Sequence, residues 1–199
     1  MQRFRYTQCK EGFGYYAQKN TIQYAERNEQ KREEFLAEVA ALPDDAELYY
    51  GDESGFDECY SREYGYAPRG ESVIGVVSGK HFARTSIVAA KNGDDIVAPF
   101  AFSGSMNSDL FVGWLEHIFV PALKNPSKSV LFLDNASHHP KDDIYDIAEE
   151  YGFRVIFLPP YSPDFNKPIE NFWANVKRRL RLHMHNFDSF WDALAHAFN

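Results

Sequence analysis

Apolar residues along this chain recur with two different periods, and the switches between them lay out its elements. From Asn28, the run NEQKREEFLAEVAAL puts Phe35, Leu36, Val39 and Leu42 on one helical face and Lys31, Arg32, Glu34 and Glu38 on the other. This predicts an amphipathic helix capped by Asn28 and ended by Pro43. LYYGDESGF then reads as a strand that emerges from the core at Asp52, with Gly51 and Gly55 allowing close approach of backbone or ligand. Three β-rich runs follow, Ser72 to Ser78, Ala83 to Ala90 and Ile96 to Phe102, set off by SGK, KNGDD and SGSMN; they predict an antiparallel meander. Tyr64, Tyr66, Pro68, Arg69 and Gly70 lie on the connection into it and read as edge packing. Ser108 to Leu123 returns to helical spacing in Leu110, Phe111, Trp114, Leu115, Ile118 and Phe119, capped by Ser108 or Asn107. SVLFLD is a continuous apolar run ending in an acid, as in a strand buried on both faces. Asp142 to Tyr151 reads as a helix, RVIFLPP as a second buried strand, and Asp188 to Phe198 as a final helix.

The most strongly signalled segment is LPPYSPDFNKPIENFWANVKRRLRL, Leu158 to Leu182. It begins as a strand end, breaks at Pro159, Pro160 and Pro163, and restarts as a helix whose first turn suits the φ of Pro168. Asp164 or Asn166 is expected to accept from the free amides there. Ile169, Phe172, Trp173, Val176 and Leu180 form one apolar face, which must be buried. Glu170, Ala174, Lys177 and Arg181 run along an adjoining stripe, suited to a metal at its start and phosphates beyond. Taken in order, three antiparallel strands, a helix, then strand, helix, strand, helix predict an α/β sheet of mixed direction.

Composition narrows the class. A chain of 199 residues suffices for one domain with a proper core. Cys9 and Cys59 give no disulfide framework, and no signal peptide or membrane span is visible, so a reduced, cytoplasmic protein is expected. The net charge of −8 argues against a uniformly basic DNA-binding protein. Lys177, Arg178, Arg179 and Arg181 nonetheless form a dense basic run, while acids gather from Asp44 to Glu58 and from Asp142 to Glu150. Such a domain meets DNA locally, where divalent cations neutralise its carboxylates.

YYGDESGF at Tyr49 to Phe56, VLFLDNASHH at Val130 to His139, and SPDFN followed by PIENFWANVKRRL together resemble DDE transposases of the mariner superfamily, specifically the bacterial insertion-sequence branch. The resemblance runs from about Gly12 to the C-terminus. It departs at Lys167, which stands between Asn166 and Pro168 where the family usually reads Asn-Pro-Ile-Glu; residues 135–169 thus put one residue more than the commonest spacing between Asp134 and Glu170. The resemblance implies a ribonuclease H-like catalytic domain over residues 28–199, with three antiparallel and two parallel strands flanked by helices. Asp52 would lie on the central first strand, Asp134 at the end of the adjacent fourth, and Glu170 on a helix packed across them. Residues 1–27 would be a linker and the remnant of an N-terminal DNA-binding region, with Gly12 to Tyr16 and Lys19 resembling that linker. The implied activity is hydrolysis of DNA strands at terminal inverted repeats, then attack of the freed 3′ hydroxyl on target DNA, typically at a TA step. Paired ends imply at least a homodimer, nucleoid-associated when bound to DNA.

Phosphodiester chemistry of this kind needs an oxygen nucleophile deprotonated, a leaving oxygen stabilised and phosphorane charge neutralised, which two Mg²⁺ or Mn²⁺ ions supply. Hard cations take oxygen ligands, and Mg²⁺ needs only a few carboxylates beside water and phosphate. The expected ligands and catalytic residues are Asp52, bridging both ions, with Asp134 and Glu170 each completing one. Clustered carboxylates repel one another, so without metal at least one is driven toward protonation. Glu53 should point to the opposite face of the strand, and Asp164 belongs to loop or cap chemistry. Asn135 is expected to orient Asp134 or a metal-bound water through its amide. Lys177, Arg178 and Arg181 are expected phosphate contacts, with His138 as a further DNA contact. His138 and His139 have no partners at zinc spacing. Two rival readings stay open: a nuclease that only hydrolyses, and a decayed or domesticated fragment that binds DNA or a partner without cleaving.

Overall fold

The computed structural model describes residues 25–57, 66–72, 74 and 84–198. The expected linker from Gly12 to Lys19, both cysteines and Tyr64 lie outside them. A five-stranded sheet has the order β3-β2-β1-β4-β5. β1 (Glu47–Asp57) is central; β2 (Arg84–Asn92) and β3 (Asp95–Ser103) continue the sheet antiparallel on one side, and β4 (Ser129–Leu133) and β5 (Arg154–Phe157) run parallel on the other. The mixed sheet matches the expectation, but its third antiparallel strand is β1. Of the expected strand Ser72 to Ser78, only Ser72 and Ile74 are described, and neither lies in a strand. Tyr66 is fully exposed, so the edge packing expected of it is not seen.

The chain does not leave the core at Asp52, as the sequence suggested. Pairing of β1 with β2 continues to Asp57, and Ser54 and Phe56 are buried. It is β4 that stops: the last β1–β4 pair is Tyr50 with Phe132. Extending that register two residues sets Asp52 beside Asp134. Gly51 makes the approach possible, because a Cβ there would lie 2.7 Å from Leu133 Cδ2 and 3.2 Å from Leu131 Cδ1. Gly51→Ala is therefore expected to destabilise the domain by about 1–3 kcal/mol. A urea midpoint equal to that of the wild type would show that the two leucines can move aside.

Helices cover both faces. α2 (Ser108–Trp114) continues through a π-helical turn, Leu115–Phe119, into α3 (Val120–Ala122), and packs with α4 (Lys141–Tyr151) on one face. Asn107 caps α2, its side chain accepting from Leu110 N–H at 2.8 Å, and Trp114 donates its indole N–H to Ala98 O at 2.8 Å. The opposite face carries α1 (Glu29–Ala40), α5 (Lys167–His183) and α6 (Phe190–Phe198). β4 serves both layers by strand alternation: Leu131 and Leu133 join the first core, Val130 and Phe132 the α1 side. α5 buries Ile169, Trp173, Val176 and Leu180, each worth about 1.5–3 kcal/mol relative to exposure, while Phe172, expected on the same face, is only half-buried.

Three expectations for helices α1 and α5 fail locally. Asn28 does cap α1, accepting from Lys31 N–H at 3.0 Å. Leu36, however, is half exposed, while Arg32, expected on the solvent side, is buried. Its guanidinium forms a two-point pair with Asp164, 2.9 and 2.6 Å, and lies 4.0 Å from the centroid of the Phe165 ring. Asp164 is thereby committed to Arg32, and neither it nor Asn166 caps α5. Pro168 takes its place in the first turn, and the Asn166 side-chain oxygen is left buried without a hydrogen-bond partner among the described residues.

Candidate active site

Where β4 ends and β1 runs on, a cleft of about 640 Å³ opens between the sheet, the start of α5 and the loop from Leu158 to Asn166. Asp52, Asp134 and Glu170 all line it, with Asn135 and Asn166. Asp52 comes from the middle of β1 and Asp134 from the residue after β4; Glu170 comes from the first turn of α5, its N–H bonded to Asn166 O at 3.1 Å. The topology thus brings together residues far apart in sequence, because β1 and β4 are parallel neighbours and α5 packs across them.

The electrostatics differ from one acid to the next. Burial pushes the Asp52 carboxyl up to about 7; the backbone N–H of Glu53 opposes this, and the charges of Asp134, Glu170 and Glu53 add to it. Burial also acts against the Asp134 anion, but hydrogen bonds from His139 and Ala136 N–H, with the nearby imidazoles, outweigh it and hold that carboxyl below its usual range. Glu170 is raised by partial burial in the cleft and by Asp164, against Lys167. Burial thus favours the protonated form of Asp52 at pH values where the hydrogen-bonded Asp134 beside it favours its anion.

The remaining expected residues are distributed around this centre. The Asn135 amide donates to Leu158 O and accepts from Lys141 Nζ at 2.5 Å, so it ties the end of β4 to the end of β5. Glu53 lines a smaller cavity with His138, His139, Phe111 and Val88, and Asp52 and Asp134 border that cavity too. There Glu53 Oε1 lies 4.0 Å from His138 Nε2, and burial followed by the neighbouring His139 lowers the His138 pKa. Lys177 sits half-buried with Nζ 5.6 Å from the Phe56 ring centroid, its pKa lowered by burial and by Arg84 despite the pull of Asp52. Arg178 is exposed and Arg181 half-buried, whereas Arg179 donates to Ala197 O at 3.0 Å and fastens α5 to α6. Sequence reasoning missed His139, Arg32 and the cleft-lining role of Asn166. The first was visible only as the second half of a His pair; the others depend on contacts across the fold.

Among the described residues, no three His, Cys, Asp or Glu side chains are gathered closely enough to hold an ion as they stand. The donor chemistry of the cleft still fits a hard divalent cation: three carboxylates line it, one of them kept protonated by burial and its neighbours, beside the partnerless Asn166 oxygen.

A mixed five-stranded sheet with acids on its central strand, on the end of the adjacent parallel strand and on a facing helix defines the ribonuclease H-like class. Within that class, residues 47–191, well over half of the chain, match the DDE superfamily endonuclease family, and the chain belongs to it. Solved structures agree on the fold. The Mos1 transposase paired-end complex with left transposon end aligns with a TM-score of 0.69 at 17% identity, covering 92% of this chain and 58% of the Mos1 chain. The mariner Mos1 paired-end complex with Mg aligns with a TM-score of 0.67 at 17% identity and the same coverage. The Mos1 catalytic domain with Raltegravir and Mg gives 0.57 at 16% identity, covering 84% of this chain and 76% of that one. The chain therefore spans 58% of the length of the two Mos1 paired-end chains. No curated protein matches the sequence. No helix among the described residues is long and apolar enough to cross a membrane.

Proposed function

We propose that the chain carries the catalytic domain of a DDE transposase of the mariner superfamily, bacterial insertion-sequence branch, which hydrolyses DNA at transposon ends and transfers the freed 3′ hydroxyl into target DNA. The observation that carries this is the convergence of Asp52, Asp134 and Glu170 on one cleft in a chain of the DDE endonuclease family. The Mos1 structures support it by what they contain, transposon ends and Mg. In this reading residues 28–199 form the catalytic domain, and residues 1–27 belong to the linker of a DNA-binding region.

Asp52, Asp134 and Glu170 would hold Mg²⁺ or Mn²⁺, two ions per site, which when bound supply charge neutralisation and activation of the attacking oxygen. The residues of the chain do the rest. Asp52, whose carboxyl burial pushes up to about 7, would have to lose its proton to serve as a ligand. Lys177, Arg178 and Arg181 line the continuation of α5 beyond Glu170 and meet phosphates there, with His138 approaching from the β4 side. The partners are double-stranded transposon ends and target DNA, bound by a homodimer in the cytoplasm at the nucleoid.

A second reading, a fragment that binds DNA without cleaving it, draws on the open spacing of the acids. Calorimetric titration of Mn²⁺ into the protein with a nicked DNA end separates the two. Uptake by the wild type, its loss in Asp134→Asn, and joining of the 3′ end to a second duplex are the expected results. Identical titrations for the two proteins would favour the non-cleaving fragment.

A further inference from the structure

Asp134 reaches the cleft with half of its carboxylate already occupied. Oδ1 accepts the backbone N–H of Ala136 at 3.0 Å, and Nδ1 of His139 lies 3.2 Å from that same oxygen and 3.1 Å from the Asp134 backbone carbonyl. A backbone carbonyl can only accept, so Nδ1 carries the ring proton and donates to two oxygens of one residue. The ring itself is held in place. Its side chain is 6% exposed, its centroid is 4.1 Å from that of Phe111 on α2, and it meets His138 edge-on at 4.5 Å. Among the described residues, every donor that reaches the Asp134 carboxylate converges on Oδ1 and none on Oδ2.

We infer that His139 is a positioning residue: packed on Phe111, it locks the Asp134 carboxylate so that a single oxygen, Oδ2, is offered to a divalent cation in the cleft. The inference rests on the metal-dependent reading proposed above. Two donors on Oδ1 draw its charge inward, which disfavours two-point chelation by this carboxylate. One-point binding leaves more of the octahedral shell of Mg²⁺ to water and substrate phosphate. The fixed side-chain angle also means that the ligand need not be ordered when the ion arrives.

The test measures Mn²⁺ binding to the whole chain at constant pH, from the loss of the free-ion electron paramagnetic resonance signal, alongside thermal unfolding. His139→Asn puts an amide nitrogen where Nδ1 stands, His139→Gln puts one where Nε2 stands, and His139→Leu keeps the packing on Phe111 with no donor. His139→Asn is expected to bind close to wild-type affinity, and His139→Gln and His139→Leu about 10–100-fold more weakly at similar thermal stability. If all three bind like the wild type while Asp134→Asn does not, the positioning role is wrong and the metal site stands. If His139→Asn is as weak as His139→Leu, the Nδ1 donor is not what matters, and the inference also fails. If Asp134→Asn binds like the wild type, the metal reading falls and this inference with it.

Discussion

Asp52→Asn is expected to abolish cleavage of a DNA end while making the metal-free protein more stable at neutral pH. The activity loss should be on the order of 10³-fold, the scale of removing one electrostatic stabiliser of a transition state. The stability gain follows from the raised pKa. Unfolded Asp titrates near 3.9, whereas in the folded chain burial and the neighbouring acids hold Asp52 protonated up to about 7. Between those values the native state binds more protons than the unfolded state, so stability falls as pH rises through the window and the deficit is complete above it. Asparagine has no proton to lose. The variant should match the wild type near pH 4 and exceed it by roughly 2 kcal/mol or more at pH 8, measured by urea unfolding in the presence of a chelator. Added Mg²⁺ should raise the midpoint of the wild type and leave that of the variant unchanged. A stability difference that does not vary between pH 4 and 8 would mean that Asp52 ionises normally and is not held by its surroundings.

The second large effect is structural and centres on the ion pair that holds the loop before Glu170. Asp164→Ala leaves the Arg32 guanidinium, 8% exposed, with only the exposed Glu29 carboxylate, 3.6 Å from Nε, in place of its two-point partner. A stranded buried charge costs about 3–5 kcal/mol; because the Asp164 side chain is 37% exposed, the expected loss is nearer 2–3 kcal/mol. The double substitution Arg32→Met with Asp164→Ala should recover much of this by restoring an apolar contact with Phe165. The pair anchors the loop that leads into Glu170, so the single variant should also lower turnover. Urea unfolding of the two variants decides the matter: an Asp164→Ala midpoint indistinguishable from wild type would show that water already solvates Arg32.

Much of this fold was legible because burial leaves a one-dimensional trace. SVLFL reads as a doubly covered strand and is buried throughout; the Ile169 to Leu180 stripe reads as the inner face of a helix and is one. The three acids could be named because the segments around them resemble those of DDE transposases; the local pattern alone marks Asp134 as a strand end and Glu170 as a helix start, whereas Asp52 stands in the middle of β1. What stayed hidden depends on partners distant in sequence. Arg32 looks like an outward charge on α1 until Asp164, 132 residues away, is seen to cover it. That contact takes up the Asp164 carboxylate, and no side chain caps α5. The sequence of β1 turns polar at Asp52 and reads as a strand leaving the core there. Only the strand register shows that β4 is the shorter of the two and that the polarity belongs to the cleft. His139 gave no sign of its importance, since a hydrogen bond to Asp134 five residues away depends on how the loop folds.

The π-helical turn at Leu115–Phe119 bears on how this chain can be compared with its relatives. Such a turn holds one residue more than the α-helical turn it replaces, and the surplus is accommodated without breaking the helix. Each residue rotates a helix by about 100°, so without it Phe119 and Val120 would swing out of the layer they share with Trp114. A relative whose helix is regular here must therefore be aligned with a single-residue gap inside a continuous helix. Placing that gap in the following loop instead would shift every buried position after Leu115 by one, and a match in core residues would be misread as a difference.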